Sequence, residues 1–394
     1  MNAEELRHSR IQNFKNVITG KGHIDHIPQF GNYWSWKYYD SGYSLTEALF
    51  DYSKMQDAIG KFADKYPMDV IYETGWRNPL QITTMLGKKN DYIIDDEIFG
   101  LSIKDQDWIT EDDYDGLIAN PEKFLWETFI PRKFTNMALD ENSEYFARYT
   151  GEMGKFGAAM GNIAGMLASK GIADLFDPNS SIDAWGFGYE LLFNCMRGMK
   201  GMAIDLRRCP DKLYAACKAL DELFEKPRYE RGLMGPDGSN EEYMVDISPV
   251  LLGHIILSVK DFERFYLPHL KLANDYLVSK DKVSYIFIEG SFKRFWDIFR
   301  DFPKDHISLQ MELDDVFETK KALPNIVVGG GMPSEILGLG TVDEALDYTK
   351  KLVDELGGDD HRYIFAPNKM ISYPKDCNSD NLAAICKYLN SIHY

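Results

Sequence analysis

No run of apolar residues in this 394-residue chain approaches the ~18 that a membrane-crossing helix needs. The opening MNAEELRHSRIQNF carries no apolar core of the kind that directs export. A cytoplasmic protein with no membrane partner is expected. Cysteine is scarce, with five residues (Cys195, Cys209, Cys217, Cys377, Cys386) and neither CxxC nor HxC among them. That scatter argues against a disulfide framework and against a thiolate zinc site. Basic charge is short as well, at 44 Lys and Arg against 62 Asp and Glu, a net charge of −18. Phosphate contacts need clustered cations, so a general nucleic-acid binder is excluded. GxSxG is absent and no cysteine ends a strand pattern, which leaves covalent acyl transfer without a nucleophile. There is no HxxxH or HxH to mark a histidine metal site.

What the chain does have is concentrated between Val283 and Lys369. Four short apolar runs, VSYIFIEG, HISLQMEL, NIVVGGG and RYIFAPNK, each stop at a polar or glycine-rich tip. Continuous β-branched and aromatic runs of this length suit strands buried on both faces, and TVDEALDYTKKLVDELGG between the last two is a helix pattern. Repeated βα units make parallel strands. Glu289, Glu312, Gly329 to Gly331 and Asn368 should therefore emerge on one face, where parallel α/β folds carry their chemistry. The fold class expected is α/β, a single (β/α)8 barrel spanning residues 1–394 with an N-terminal extension and insertions.

Taken in order, residues 1–22 read as a helix, and HIDHIPQFGNYW supplies a first strand that runs into Tyr33, Trp34, Trp36, Tyr38 and Tyr39. Aromatics this dense either pack over the mouth or line a pocket for a flat ligand. The strand in MDVIYETGW ends at Glu73 and Trp76. The acidic segment 88–115 reads as a hairpin or extended excursion. Small residues from Glu152 to Lys170, GNIAG among them, predict close helix packing. Asp183, Trp185, Phe187 and Tyr189 gather in IDAWGFGYELL, and the helical stretch after it breaks at Pro210. Asp246 and His254 precede a helix that begins near Ser258.

A carboxylate leaving an apolar strand next to glycine, as Glu289 does, is an acid/base, a metal ligand or the partner of a cation. Glu312 holds the matching place one strand later. With His254 the two can donate and orient a proton or bind zinc in an N/O site. The Gly329 to Gly331 run lacks the Lys-Ser/Thr of a P-loop, and close approach of a bulky ligand to bare backbone is its general reading.

RGMKGMAIDLRRCPDKL, LLGHIILSVKDFERFYLPHLK, FIEGSFKRFWDIFRDFPKDHI and VVGGGMPSEILGLGTVDEALDYTKKLV resemble the uroporphyrinogen decarboxylase superfamily. The resemblance runs from about Asp183 to Asn390 and is strongest to the corrinoid-dependent methyltransferases. It implies a (β/α)8 barrel whose mouth receives a porphyrinogen or the corrinoid of a separate small protein. IPQFGNYWSW has no arginine where decarboxylases bind substrate carboxylates, and Phe287 and Glu289 stand where thiol methyltransferases hold zinc with HxC. Asn368 stands near their further cysteine. The activity this implies is the first methyl transfer of an O-demethylase, from an aryl methyl ether to Co(I). Catalysis would fall to Glu289, Glu312, His254 and Asp246, with zinc at Glu289 as an option. Ring binding would fall to Tyr33, Trp34, Trp36, Glu73, Trp76, Trp185 and Asn368, and approach of the corrin to Gly329, Gly330, Gly331 and Met332. The same fold with a methylamine, a thiol or another donor or acceptor is the first alternative, a decarboxylase of that superfamily or a non-catalytic barrel that only binds a corrinoid protein the others, and a homodimer is one option for the assembly.

Overall fold

Asn2 starts the first helix through a reciprocal cap, its side chain accepting from the Glu5 backbone N–H while Glu5 accepts from the Asn2 N–H, both at 2.9 Å. The helix runs Ala3–Thr19 and stops at Gly20, whose φ of 66° is the left-handed conformation glycine adopts cheaply. Its buried face, Ile11, Phe14, Val17 and Ile18, packs on Phe30, Val70, Ala173, Tyr285 and Ile364 from the strands. The segment expected as an N-terminal extension is thus a plug under the sheet. The computed structural model describes residues 1–71, 80–86, 92–105, 107–134, 144–174, 187–231 and 245–394.

Ten strands occur among these residues: β1 (Phe30–Gly31), β2 (Val70–Ile71), β3 (Tyr92–Asp95), β4 (Gly100–Ile103), β5 (Ala173–Asp174), β6 (Val250–Leu251), β7 (Ser284–Ile288), β8 (Ile307–Met311), β9 (Val327–Gly330) and β10 (Tyr363–Ile364). All but β3 and β4 pair in parallel, in the orders β1-β2-β5 and β10-β9-β8-β7-β6. A bridge between Gln29 and Phe365 joins the two sheets, with Phe30 N–H donating to Phe365 O at 2.8 Å and Phe365 N–H to Pro28 O at 2.9 Å. Eight parallel strands therefore follow one another side by side. Between β5 and β6 no ladder occurs among the described residues, so they show two linked parallel sheets and not the closed ring expected. Residues 175–186 and 232–244 lie outside those described.

The hairpin expected in 88–115 is present as antiparallel β3 and β4. The helical stretch breaks at Pro210, between Gly198–Arg208 and Pro210–Leu220, because the ring removes a backbone donor. Ser258 caps the helix Val259–Phe265 by accepting from Asp261 N–H at 3.1 Å. The close helix packing expected at Gly161 to Gly165 is not found. On the helix Glu144–Ser169, no described atom lies within 4 Å of where a Cβ would stand on Gly161 or Gly165. That helix buries its other face, through Met160, Ile163 and Leu167.

Inside the parallel strands the core is partly polar, and a run of side-chain hydrogen bonds crosses it. Tyr285 packs against Phe14 and Phe30 at ring distances of 5.7 and 4.5 Å, and its hydroxyl donates to Gln310 Oε1 at 2.8 Å. Gln310 Nε2 donates in turn to Pro367 O at 2.7 Å, and the Tyr363 hydroxyl to Gly330 O at 2.6 Å. Such a network fixes the register of β7 to β10 because an orphaned member would cost about 1–3 kcal/mol.

Candidate active site at the strand tips

Side chains alternate faces along a strand, so residues two and four beyond an inward one also face in. Tyr285 faces inward, and Glu289 shares its side of β7, its N–H extending the ladder to Leu251 O at 3.0 Å. Gln310 is bonded to Tyr285, which puts Glu312 on the inner side of β8, with its N–H on Ile288 O at 3.1 Å. The tips expected to meet do meet. Gly290 N–H donates to Glu312 Oε2 at 2.6 Å, and the Asn368 amide Nδ2 reaches Glu312 O at 3.4 Å. Asn368 is itself held by its N–H on Met332 O at 2.8 Å and by Ser334 N–H on its Oδ1 at 3.2 Å. Asp314 ties the β7 loop from the other side, accepting from the Ser291 hydroxyl at 2.5 Å and from Phe292 N–H at 2.8 Å. Two half-buried carboxylates and one fixed amide thus crowd a single rim.

Among the described residues, three cations near these tips are already engaged. Arg294 donates to the carbonyls of His254 and Ile255 at 2.8 and 2.9 Å, Lys293 pairs with Glu318, and Lys369 pairs with Asp376 at 2.8 Å.

Residues 253–391 match the uroporphyrinogen decarboxylase (URO-D) family. The match begins just after β6 and covers β7 to β10, the part that holds both carboxylates. Among solved structures the chain is similar to a methyltransferase from Methanosarcina mazei, at 12% identity and a TM-score of 0.61, over 97% of this chain and 98% of that one. At that identity the likeness is one of fold. A comparison with curated proteins finds no match.

His254 lies behind the rim, in the turn after β6, between the rings of Tyr266 and Phe295 at 6.2 and 6.0 Å. Neither ring nitrogen has a hydrogen-bond partner of good geometry. Burial, with the Arg294 charge adding to it, lowers its pKa to about 4. Expected to donate a proton or to help bind zinc, it is enclosed by rings, and the lowered pKa disfavours the charged form a donor needs.

Asp246 is not at this mouth. It precedes Ile247, which bridges to Ser284 at the start of β7, and its carboxylate accepts from Val283 N–H at 2.9 Å with Lys282 at 3.6 Å. The full length of β7 separates it from Glu289, because side chains at opposite ends of parallel strands cannot converge. Its pKa is raised by burial.

The glycine tip differs from expectation too. Gly330 and Gly331 have φ of 85° and 97°, and the space where their Cβ atoms would stand is taken by Gln310, Val316 and Leu352. Gly329 faces Tyr285 at 3.2 Å. Gly329 to Gly331 and Met332 are buried, so the bare backbone makes room for the chain's own side chains and offers no cradle to a corrin.

Of the aromatic loop, Tyr33 and Trp36 belong to the core, with Tyr33 at 5.4 Å from Phe62 and Trp36 at 6.1 Å from Tyr66. Trp34 is half-buried, its indole N–H enclosed without a partner. Glu73, Trp76 and Trp185 lie outside the described residues. Zinc at Glu289 finds no support in geometry, since among the described residues Glu289 joins no group of three side chains that could close on an ion.

Three residues went unremarked in the sequence. Glu190 is buried beside the β6 tip, where it accepts from Leu252 and Gly253 N–H at 2.9 and 2.8 Å, from Asn194 at 2.5 Å and from the Tyr266 hydroxyl. Burial raises its pKa against those bonds. Burial first, then the Glu190 charge, holds the Tyr266 phenol well above its usual range, with a smaller push from Glu289. Asn32, directly after β1, is buried with an unpartnered Oδ1. A lone Glu inside GYELLF and an Asn ending a strand were the only signals available.

Proposed function

We propose that this chain is a methyltransferase of the URO-D-like superfamily that cleaves an aryl methyl ether, with the corrinoid of a separate protein as methyl acceptor. We also infer that its eight parallel strands close into one (β/α)8 barrel. One observation carries the reading: Glu289 and Glu312 face into the same mouth with their loops tied together, while Arg294, Lys293 and Lys369, the cations noted near it among the described residues, have other partners. A porphyrinogen brings several carboxylates and would need free arginines there. An ether brings an oxygen that must take up a proton as its carbon leaves.

Glu289 is the proton donor in this reading. Its carboxyl holds the proton at Oε and delivers it to the phenolic oxygen. Glu312, fixed by Gly290 N–H, positions the β7 loop, and Asn368 completes the rim. Asn32 Oδ1 and the Trp34 indole N–H are buried polar groups left for a ligand to satisfy. The glycine tip does not fit a corrin, so no step is drawn through it.

The test is to mix the protein with reduced corrinoid protein and a panel of methoxyarenes and to follow the cobalt absorption. Conversion of the Co(I) spectrum with at least one ether supports the reading. Conversion only with methylamines or methyl thiols, or none with any donor, overturns it.

A further inference from the structure

Several enclosed polar atoms have no hydrogen-bond partner among the described residues. Tyr189 and Trp296 belong to the helices Gly188–Leu191 and Trp296–Phe299, and Ser284 to the end of β7 far from the mouth. Asn32 differs, because it stands directly after β1, at the tip end of the parallel strands. It is 2% exposed, and its Oδ1 is enclosed without a donor.

Phe30 faces inward, its ring 4.5 Å from that of Tyr285, so Asn32, two residues on, turns to the same side. The bridge between Gln29 and Phe365 sets residue 32 level with residue 368, and adjacent strands stand about 4.7–4.9 Å apart. The backbone of Asn32 is pinned: its N–H donates to Phe30 O at 3.1 Å, and its carbonyl accepts from Ile371 N–H at 2.9 Å. Two asparagines thus stand on neighbouring tips with opposite uses. Asn368 spends Nδ2 on Glu312 O and Oδ1 on Ser334 N–H. Asn32 holds an acceptor that the chain leaves unmet, and an enclosed carbonyl is costly unless something else supplies the donor. In the barrel proposed above, β1 stands four strands from β7, which puts Asn32 across the mouth from Glu289. An eight-stranded barrel is wide enough there for one small ligand.

We propose that Asn32 sets substrate specificity by accepting a hydrogen bond from a ring hydroxyl para to the methoxy group whose oxygen Glu289 protonates. The inference rests on the ether reading above and narrows it to methoxyphenols. A carboxylate at that place would bring acceptors to an acceptor. The Trp34 indole N–H, enclosed without a partner two residues on, calls for an acceptor in its turn. A hydroxyl meets either need, because it both donates and accepts. The anchoring group and the reacting group then sit at opposite ends of one ring, and the length of the ring sets the ether oxygen at Glu289.

The test is calorimetric binding of p-methoxyphenol and of p-methylanisole, in which a methyl replaces the hydroxyl, to the full chain with no corrinoid protein present. The phenol should bind about tenfold tighter, the effect of one neutral hydrogen bond. Asn32→Leu should remove the difference, and Asn32→Asp, which keeps an acceptor, should retain it. Asn32→Ala serves if the first variant does not fold. Equal affinities in the parent, a preference that survives Asn32→Leu, or no binding of either ether overturns the proposal. Methyl transfer is read separately. A chain that prefers the phenol through Asn32 yet transfers no methyl group refutes the ether reading and still supports the hydroxyl site.

Discussion

One hydrogen bond, from Gly290 N–H to Glu312 Oε2 at 2.6 Å, locks the tip of β7 to the tip of β8. It requires a glycine with φ of 70° and spends one oxygen of Glu312 on backbone. In the proposed reading Glu312 is thereby a positioning residue and Glu289, on the same face, the acid.

Glu289→Gln should keep the fold and ring binding and lower methyl transfer by about 10²–10⁴, the usual contribution of one placed acid. Single-turnover rates with the corrinoid protein, set beside ligand binding, measure this. A variant that transfers methyl at near the parent rate would make Glu289 structural.

Gly290→Ala should cost about 1–2 kcal/mol, because the left-handed conformation is strained for a residue with a Cβ. The new methyl would also meet Ile255 Cγ2 at 3.1 Å. Urea midpoints report the stability loss, and a fall in activity beyond it would show that Glu312 has shifted.

Phe14→Ala should destabilise by about 3–5 kcal/mol, since its fully buried ring closes the strands from below against Tyr285. Urea unfolding measures it. A loss under 1 kcal/mol would mean the first helix is not the plug described.

His26 supplies an alkaline limb to stability. Its pKa rises to about 9 in the fold, by bonds to Asp69 and Asp25 that outweigh burial. Protonation is tighter in the native state, so the gain is complete below the unfolded value of 6.5 and is lost as pH rises through about 9. The amount is about 3 kcal/mol. Unfolding free energy against pH should show this fall, and His26→Gln should flatten it.

His254 should titrate near 4 by NMR of its ring protons, so no limb of a pH–rate profile between 5 and 9 belongs to it. A ring midpoint near 6.5 would mean that its cage is open to water.

What the sequence by itself determined was local: apolar runs that could only be buried strands, the break at Pro210, the cap at Ser258, and the period-two spacing that turned Glu289 and Glu312 to one face. These follow from backbone geometry within a few residues of each site. Tertiary structure decided what depends on neighbours distant in the chain. It put Asp246 at the far end of the strand that leads toward His254, filled the glycine tip with Val316 and Leu352, and kept His254 neutral between Tyr266 and Phe295. It also brought Glu190 to the β6 tip, a contact 62 residues long in the chain. A side chain's charge and use depend on what surrounds it, and those surroundings exist only once the helices have packed around the strands.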